Sequence, residues 1–310
     1  MMQVRISGIR ELTPVIREFT LTALEGPLPG FSAGSHVQVH LPLGSRTVRN
    51  AYSLTGDPAD TRHYRIAVRL QEASRGGSRF LHEQARVGDT LTLSPPANLF
   101  ALDLTARHHI LIAGGIGITP FMAYLDSLER RGDSFELHYA YRQGLTDAFS
   151  DELLARLGHR LHRYDGSAGQ VMDLKTILTA RPMGSHVYTC GPQRLLDGVR
   201  AQAAALGWPA ARVHWEAFSS ARSGLPFRLE LARSGRKIEV EAEQSLLEAL
   251  EEAGMSIPNL CRGGACGQCA TRHLQGDIDH RDHCLSAEEQ QQFLMPCVSR
   301  GCGTALVLDL

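Results

Sequence analysis

Seven cysteines stand in the chain, at positions 190, 261, 266, 269, 284, 297 and 302, and all but Cys190 lie after Met255. The number is odd, and no secretion signal precedes the cluster, so the pattern favours metal chemistry over disulfides. Cys261-x4-Cys266-x2-Cys269, followed by Cys297 after 27 intervening residues, is the spacing of a plant-type [2Fe–2S] ligand set. A loop that wraps such a cluster must bend so that several thiolates converge. It must also aim backbone N–H groups at the sulfurs, and Gly263, Gly264 and Gly267 supply that freedom. The competing assignment is zinc, which usually brings paired C-x2-C knuckles; one such pair is present. Cys302 reads as a packed thiol and Cys284 as a bystander in a polar stretch. His280 and His283 could suggest a mixed Cys/His set, but the four-cysteine set is already complete.

Two further signals are weaker. Gly114-Gly115-Ile116-Gly117 follows an apolar strand pattern and opens a helical one, a place where a phosphate can approach free N–H groups. The pattern departs from G-x-G-x-x-G, and a tight connection between strand and helix explains it equally. Thr189-Cys190-Gly191-Pro192 ends another strand pattern and adds weight to a nucleotide crevice. Arg49-Asn50-Ala51-Tyr52-Ser53-Leu54 places an aromatic ring and short polar groups on one strand. It suits the flank of a flavin or simply an ordinary strand. Gly76-Gly77-Ser78-Arg79 reads as a phosphate nest or as a surface turn into a helix.

The elements that must position these residues fall into three segments. Up to residue 104 the pattern is short and β-like: Val37–Leu41, Tyr64–Leu70 and Thr90–Leu93 alternate apolar and polar residues between Gly/Pro turns, which predicts a small antiparallel barrel. Residues 105–218 alternate strand and helix. Strands are expected at His109–Ala113, Phe135–Tyr141, Arg160–Arg163 and His186–Thr189, and helices at Phe121–Arg131 and Ser150–Leu157. This alternation predicts a parallel sheet with crossover helices. Residues 219–225 have linker composition. Residues 226–310 open with a hairpin around Ser234-Gly235, then a helix from Ser245 to Ala253 stopped by Gly254, then the cysteine loop. The expected fold class is therefore multidomain, all-β and α/β.

The chain has 310 residues, 43% hydrophobic and 21% charged, the profile of a globular protein of two or three domains. No segment reaches the roughly 18–20 apolar residues of a membrane span, and Met1–Ile6 carries no signal-peptide pattern. The expectation is a cytoplasmic protein without membrane or nucleic-acid partners, at a net charge of −1. From Gly224 onward 8 basic residues face 13 acidic ones. That excess is either a solvated face or a field that steers a basic partner surface.

Taken as a set, the motifs resemble the phthalate dioxygenase reductase family, which includes vanillate O-demethylase and carnitine monooxygenase reductases. The resemblance spans nearly the whole chain. It rests on Asn50–Leu54, Ser74–His82, Ile112–Pro120, Val187–Pro192, the cysteine loop, Asp279–Asp282 and the ending Leu306–Leu310. It implies an FMN barrel (1–104), an NADH domain (105–218) and a C-terminal ferredoxin domain of β-grasp type (226–310). It implies FMN contacts from Asn50, Ala51, Tyr52, Ser53, Ala67, Val68, Arg69, Gly76, Gly77, Ser78, Thr119 and Phe218. NADH contacts are implied at Gly114, Gly115, Gly117, Thr119, Pro120, Cys190, Gly191 and Pro192, and cluster ligands at Cys261, Cys266, Cys269 and Cys297. The family's usual flavin motif is Arg-x-Tyr-Ser. Here Asn50 takes the arginine position, and Arg49 is displaced to the other strand face, away from the flavin. No basic cluster follows Tyr141-Arg142-Gln143, which favours NADH over NADPH. No residue is needed as acid or base. The implied activity is hydride transfer from NADH to FMN, then single electrons through the cluster to a Rieske-type oxygenase, by a monomeric reductase. A redox-sensing regulator and a stand-alone diaphorase are the alternatives.

Overall fold

A computed structural model describes every residue except 45, 73, 74 and 219–221, and every side chain but that of residue 304 besides. Ser74, the first residue of the Ser74–His82 stretch, and the first three residues of the expected linker therefore lie outside the described residues. The chain divides into two compact units. The first comprises Met1–Leu41, Ala51–Glu72 and Ser78–Phe218; the second comprises Pro42–Asn50, Ala73–Gly77 and Ser219–Leu310.

The N-terminal sheet has seven strands: β1 (Met2–Thr13), β2 (Ile16–Ala23), β3 (Ser35–Leu43), β4 (Arg46–Ser53), β5 (His63–Arg69), β6 (Thr90–Leu93) and β7 (Ala97–Asn98), with helix α1 (Gly77–Glu83) between β5 and β6. The order is β4-β3-β6-β1-β2-β5, with β7 on β3. An antiparallel bridge between Leu54 and Ile66 joins the two ends and closes the barrel. Alternation decides which face is inside. Val37, Val39 and Leu41 of β3 meet Val4 and Ile6 of β1, Phe19 and Leu21 of β2, and Tyr64, Ile66 and Val68 of β5 in one buried core.

The second sheet lies in the first unit and is parallel. It is built from β8 (His108–Gly114), α2 (Thr119–Arg131), β9 (Ser134–Tyr141), α3 (Ser150–Leu157), β10 (Leu161–Asp165), α4 (Leu174–Leu178), β11 (Ser185–Gly191), α5 (Gln193–Ala205) and β12 (Val213–Ala217). The strand order is β10-β9-β8-β11-β12. Successive residues of β8 serve opposite faces: Leu111 and Ala113 pack with Phe121 and Leu125 of α2, while Ile110 and Ile112 pack with Ile177 of α4 and Val199 of α5. A strand buried on both faces reads as a continuous apolar run, which is why His109–Ala113 is legible as one. α2 starts two residues before the expected Phe121, with Pro120 in its first turn, where a missing N–H costs nothing. The order of connections reverses between β8 and β11, so the carboxyl ends of these two strands flank the crevice where such sheets bind ligands.

The remaining elements of the second unit are β13 (Phe227–Leu231), β14 (Lys237–Val240), α6 (Leu246–Glu252), β15 (Thr271–Asp279), β16 (Phe293–Leu294) and β17 (Arg300–Leu308). They form a mixed sheet in the order β14-β13-β17-β15-β16, the grasp expected of a ferredoxin fold. The β13–β14 hairpin turns at Gly235, φ 67°, as expected. α6 opens with a reciprocal cap: the Ser245 hydroxyl accepts from the Glu248 N–H, and the Glu248 carboxylate accepts from the Ser245 N–H. Leu246, Ala249 and Leu250 of α6 pack on Leu229, Leu231, Leu306 and Leu308 of the sheet. No helix among the described residues is long and apolar enough to cross a membrane.

Candidate redox site

The cysteine loop hangs from the end of α6. Gly254 ends the helix at φ 82°, and three residues of the loop, Arg262, Gly264 and Gly267, adopt φ of 51°, 72° and 74°. A non-glycine residue in the left-handed region needs a strong reason. Arg262 has one: its guanidinium makes a two-pronged pair with Glu251 of α6, Nη1–Oε1 2.7 Å and Nη2–Oε2 2.9 Å. Its side chain is 6% exposed. Planar bidentate pairing of this kind fixes geometry as well as charge. Gly264 serves contact instead: a Cβ there would lie 2.6 Å from Val298 Cγ2 and 3.1 Å from Asp282 Cα. The loop can thus lie directly on the segment that carries Cys297. Gly267 has open space around it, so the turn itself requires the glycine.

This folding brings the four expected ligands together in two pairs. Cys269 Sγ and Cys297 Sγ are 3.3 Å apart and both are buried, a distance well beyond the roughly 2.05 Å of a disulfide; both thiols are free. The Cys266 thiol is pushed down to about 5, first by the hydrogen bond from Cys261 and then by backbone donors that include the Gln268 N–H. Cys261 goes up in return, because it holds the shared proton. Cys269 is lowered by Cys297, and Cys297 is raised by Cys269. Backbone N–H groups reach the sulfurs: Gly263 donates to Cys261 Sγ at 3.3 Å, and Gly264 supports Cys297. Thiols that share protons, converge and accept backbone donors are a set that iron would complete by displacing the protons. Cys284 packs beside Cys269 and Cys297; burial pushes its thiol up to about 11, and its Sγ lies 3.8 Å from Asp282 Oδ2. Cys302 is exposed.

Arg49 resolves in the same unit. Its guanidinium pairs with Glu251 Oε1 at 2.8 Å. Asn50, Gly76 and Gly77 also belong to this unit. Gly76 has φ 109° and Gly77 opens α1.

The other residues of the expected flavin set lie in the first unit. Ser53 ends β4 and is buried, as are Ala67 and Val68 of β5. Tyr52 packs against the barrel core. Arg69 ends β5 with a buried Nε that finds no hydrogen-bond partner among the described residues, a donor suited to an anionic or carbonyl-bearing ligand such as FMN. Ser78 is buried at the start of α1, where its Oγ accepts from the Gln71 N–H. Thr119 is buried at the start of α2, and its hydroxyl donates to the Ile116 carbonyl. Phe218 follows β12 and is 45% exposed.

The expected nucleotide loops meet each other. A Cβ on Gly117 would lie 2.2 Å from the Cys190 carbonyl oxygen; one on Gly191 would lie 3.0 Å from Gly114 Cα; one on Gly114 would lie 2.7 Å from Pro192 Cδ. These three glycines accommodate the chain itself. Gly115, at φ 53°, has ordinary space around it. Cys190 is fully buried, and burial together with Glu216 pushes its thiol up, which disfavours the thiolate. Arg142 is exposed.

The sequence reading passed over Glu216. It pairs with Cys190 across β11 and β12. Burial pushes its carboxyl up to about 8, and its Oε2 is buried without a hydrogen-bond partner among the described residues. Thr189 Oγ1, one residue before Cys190, is likewise buried and unpartnered. Unpaired buried polar atoms are rare and call for an explanation; these two stand at the carboxyl ends of β11 and β12, on opposite faces of the sheet. The only sequence signal was a charge inside the strand His214-Trp215-Glu216-Ala217.

Residues 229–302 match the family described as 2Fe-2S iron-sulfur cluster binding domain. Residues 90–213 match the dimethylamine monooxygenase subunit DmmA-like N-terminal domain. The chain is 63% identical, over all of its length and 99% of the relative, to a heme-dependent oxidative N-demethylase beta subunit of Ectopseudomonas mendocina. It is 45% identical, over all of its length and 98% of the relative, to a carnitine monooxygenase reductase subunit of Escherichia coli. Among solved structures, phthalate dioxygenase reductase, described as a modular structure for electron transfer from pyridine nucleotides to [2Fe-2S], superposes with a TM-score of 0.92 at 37% identity, covering 100% of this chain and 98% of that one. The four-thiol site and the full-length likeness agree, and the chain belongs to the phthalate dioxygenase reductase family.

Proposed function

We propose that the partner of this reductase is a haem-dependent oxygenase that demethylates an amine. The chain is the NADH-dependent reductase component of an oxygenase system. FMN, when bound, takes a hydride from NADH, and the [2Fe–2S] cluster passes the electrons on one at a time. The observation that carries the proposal is the 63% identity, end to end, to the beta subunit of a haem-dependent N-demethylase. A Rieske-type partner, implied by the motifs of the sequence, is the second reading, favoured by the likeness to phthalate dioxygenase reductase.

Each group of side chains has a role in this reading. Cys261, Cys266, Cys269 and Cys297 hold the cluster. Ala51, Tyr52, Ser53, Ala67, Val68, Arg69 and Ser78 line the flavin, with Arg69 Nε its clearest donor. Gly114–Thr119 and Cys190–Pro192 receive NADH. Thr119 and Phe218 stand where nicotinamide and flavin meet. The Glu216 carboxyl, neutral at pH 7 by its raised pKa, offers a proton-bearing oxygen toward the same strand ends. The domain boundaries expected from the sequence belong to the same reading, supported by three sheets that span residues 2–98, 108–217 and 227–308. So do a monomeric state and a cytoplasmic location, supported for the latter by free thiols throughout.

The test is anaerobic. The holo-protein is reduced with NADH and mixed with the ferric haem oxygenase or, separately, with a Rieske oxygenase. A Soret shift within seconds, and formaldehyde released from a methylamine once oxygen is admitted, is the expected result. If the haem stays ferric while the Rieske centre is reduced, the second reading replaces the first. Cluster EPR that never appears on NADH addition would overturn both.

A further inference from the structure

Asp103, His186 and His214 converge at the end of the parallel sheet opposite to the nucleotide loops. His186 is the second residue of β11 and His214 the second residue of β12, while Asp103 sits in the connector between β7 and β8. His186 and Gly191 are five residues apart on one strand, so the cluster lies about 16 Å from that loop by strand rise. His186 Nδ1 and His214 Nε2 are 3.0 Å apart, and Asp103 Oδ2 is 3.7 Å from His186 Nδ1. The three ligand atoms all lie within 4.8 Å of one another.

The surroundings orient each donor. Asp103 Oδ1 is taken by the Thr105 N–H at 2.8 Å and the Thr105 hydroxyl at 2.6 Å, which leaves Oδ2 for the histidines. The Asp103 N–H donates to Tyr188 Oη at 2.9 Å. The Tyr188 ring stacks on His214 at 4.4 Å between centroids. One tyrosine therefore sets both the aspartate and one histidine. Carboxylates and rings fixed by outer partners in this way are what a metal site requires. The Thr105 hydroxyl holds Asp103 low, and burial lowers both histidines, directions that accord with the geometry. Arg212, exposed to solvent, is the positive charge that faces His186.

We propose that Asp103, His186 and His214 bind a divalent transition-metal ion, zinc in the first place. Two imidazoles and a carboxylate leave a fourth tetrahedral position to water. With no metal, one of the two facing ring nitrogens must carry a proton; when the ion takes its place, that imidazole adopts its other tautomer, with the proton on the remote ring nitrogen. Bound there, zinc staples the connector that precedes β8 to two strands of the parallel sheet. A second group, Glu136, His138 and His162, is equally compact but closed to a cation. Arg181 holds both oxygens of Glu136, at 2.6 and 3.1 Å, and His138 spends both nitrogens on Tyr164 and Glu136.

The contrast between the groups gives the experiment. The holo-protein is incubated with zinc chloride and desalted, and zinc and iron are measured on the same sample. About one zinc per chain is expected, with the cluster iron unchanged. His214→Phe, which keeps a ring over Tyr188, should lose that zinc; Asp103→Asn should weaken it about tenfold or more; His162→Phe should leave it intact. Zinc should raise the melting temperature of the wild-type protein and not that of His214→Phe. Zinc retained equally by wild type and His214→Phe, zinc gained only as iron is lost, or no zinc retained by wild type would each overturn the site.

Discussion

The cysteine loop and the nucleotide loops are both rich in glycine, yet they use it differently. In the cysteine loop, glycine and one strained arginine bend the backbone so that side chains converge; the chemistry is in the sulfurs, and their spacing states it. In the nucleotide loops, Gly114, Gly117 and Gly191 let two backbone segments touch. The polar atoms there lie outside the motif, at strand ends, where Thr189 Oγ1 and Glu216 Oε2 are buried. Spacing identifies a site when the reacting atoms belong to the motif. It only locates a site when the motif is packing.

That contrast can be broken, and the largest effect should come from the sulfurs. Cys297→Ser should abolish cluster EPR and cytochrome c reduction while NADH-driven ferricyanide reduction, which needs only the flavin, persists. Cytochrome c reduction that survived would mean that electrons leave without the cluster. Next, Glu251→Ala strands Arg262 and Arg49 together. Breaking a largely buried pair costs about 3 kcal/mol, so the visible cluster bands should bleach at a lower temperature, with flavin bands unaffected at first. Unchanged bleaching would show that the arginine does not hold the loop.

The nucleotide side should respond more gently. Gly117→Ala forces apart two backbones now too close for a Cβ, at about 1–3 kcal/mol. It should lower kcat/KM for NADH by about tenfold, while Gly115→Ala, with space around it, should cost only the left-handed strain of about 1–2 kcal/mol. Equal effects of the two would erase the distinction. The last effect is in pH. The Glu216 carboxyl has a folded value of about 8 against 4.5 for the free group. The folded state then holds more protons than the unfolded state between those values, and stability falls as pH rises through that window. Glu216→Gln should flatten the slope of Tm between pH 5 and about 8; a wild-type Tm already flat there would mean the carboxyl is solvated.

Much of this molecule was legible before its structure. The alternation of Val37–Leu41 and Tyr64–Leu70, the apolar run at His109–Ala113 and the Ser245 cap are local patterns, and each forms the element it implies. The four expected ligands could be named because cluster spacing is itself local for three of them. What stayed hidden is pairing over distance. Arg49 finds Glu251 across 202 positions, and Arg75 finds Glu248 at 2.6 Å across 173; nothing near either arginine names its partner. Glu216 was hidden for another reason. A carboxylate in a strand is ordinary until the opposite residue proves to be a fully buried cysteine.

The make-up of the second unit bears on how such reductases can be cut and rejoined. It is not a contiguous tail: residues 42–50 and 73–77 belong to it, and they carry Arg46, Arg49 and Arg75, which bind the Glu243 carbonyl, the Glu251 carboxylate and the Glu248 carboxylate. A splice placed at Phe218 would transplant the acids and leave three arginines behind. A working chimera with a foreign ferredoxin module must therefore either bring matching acids on its own helix or carry the arginine-bearing turns along with it.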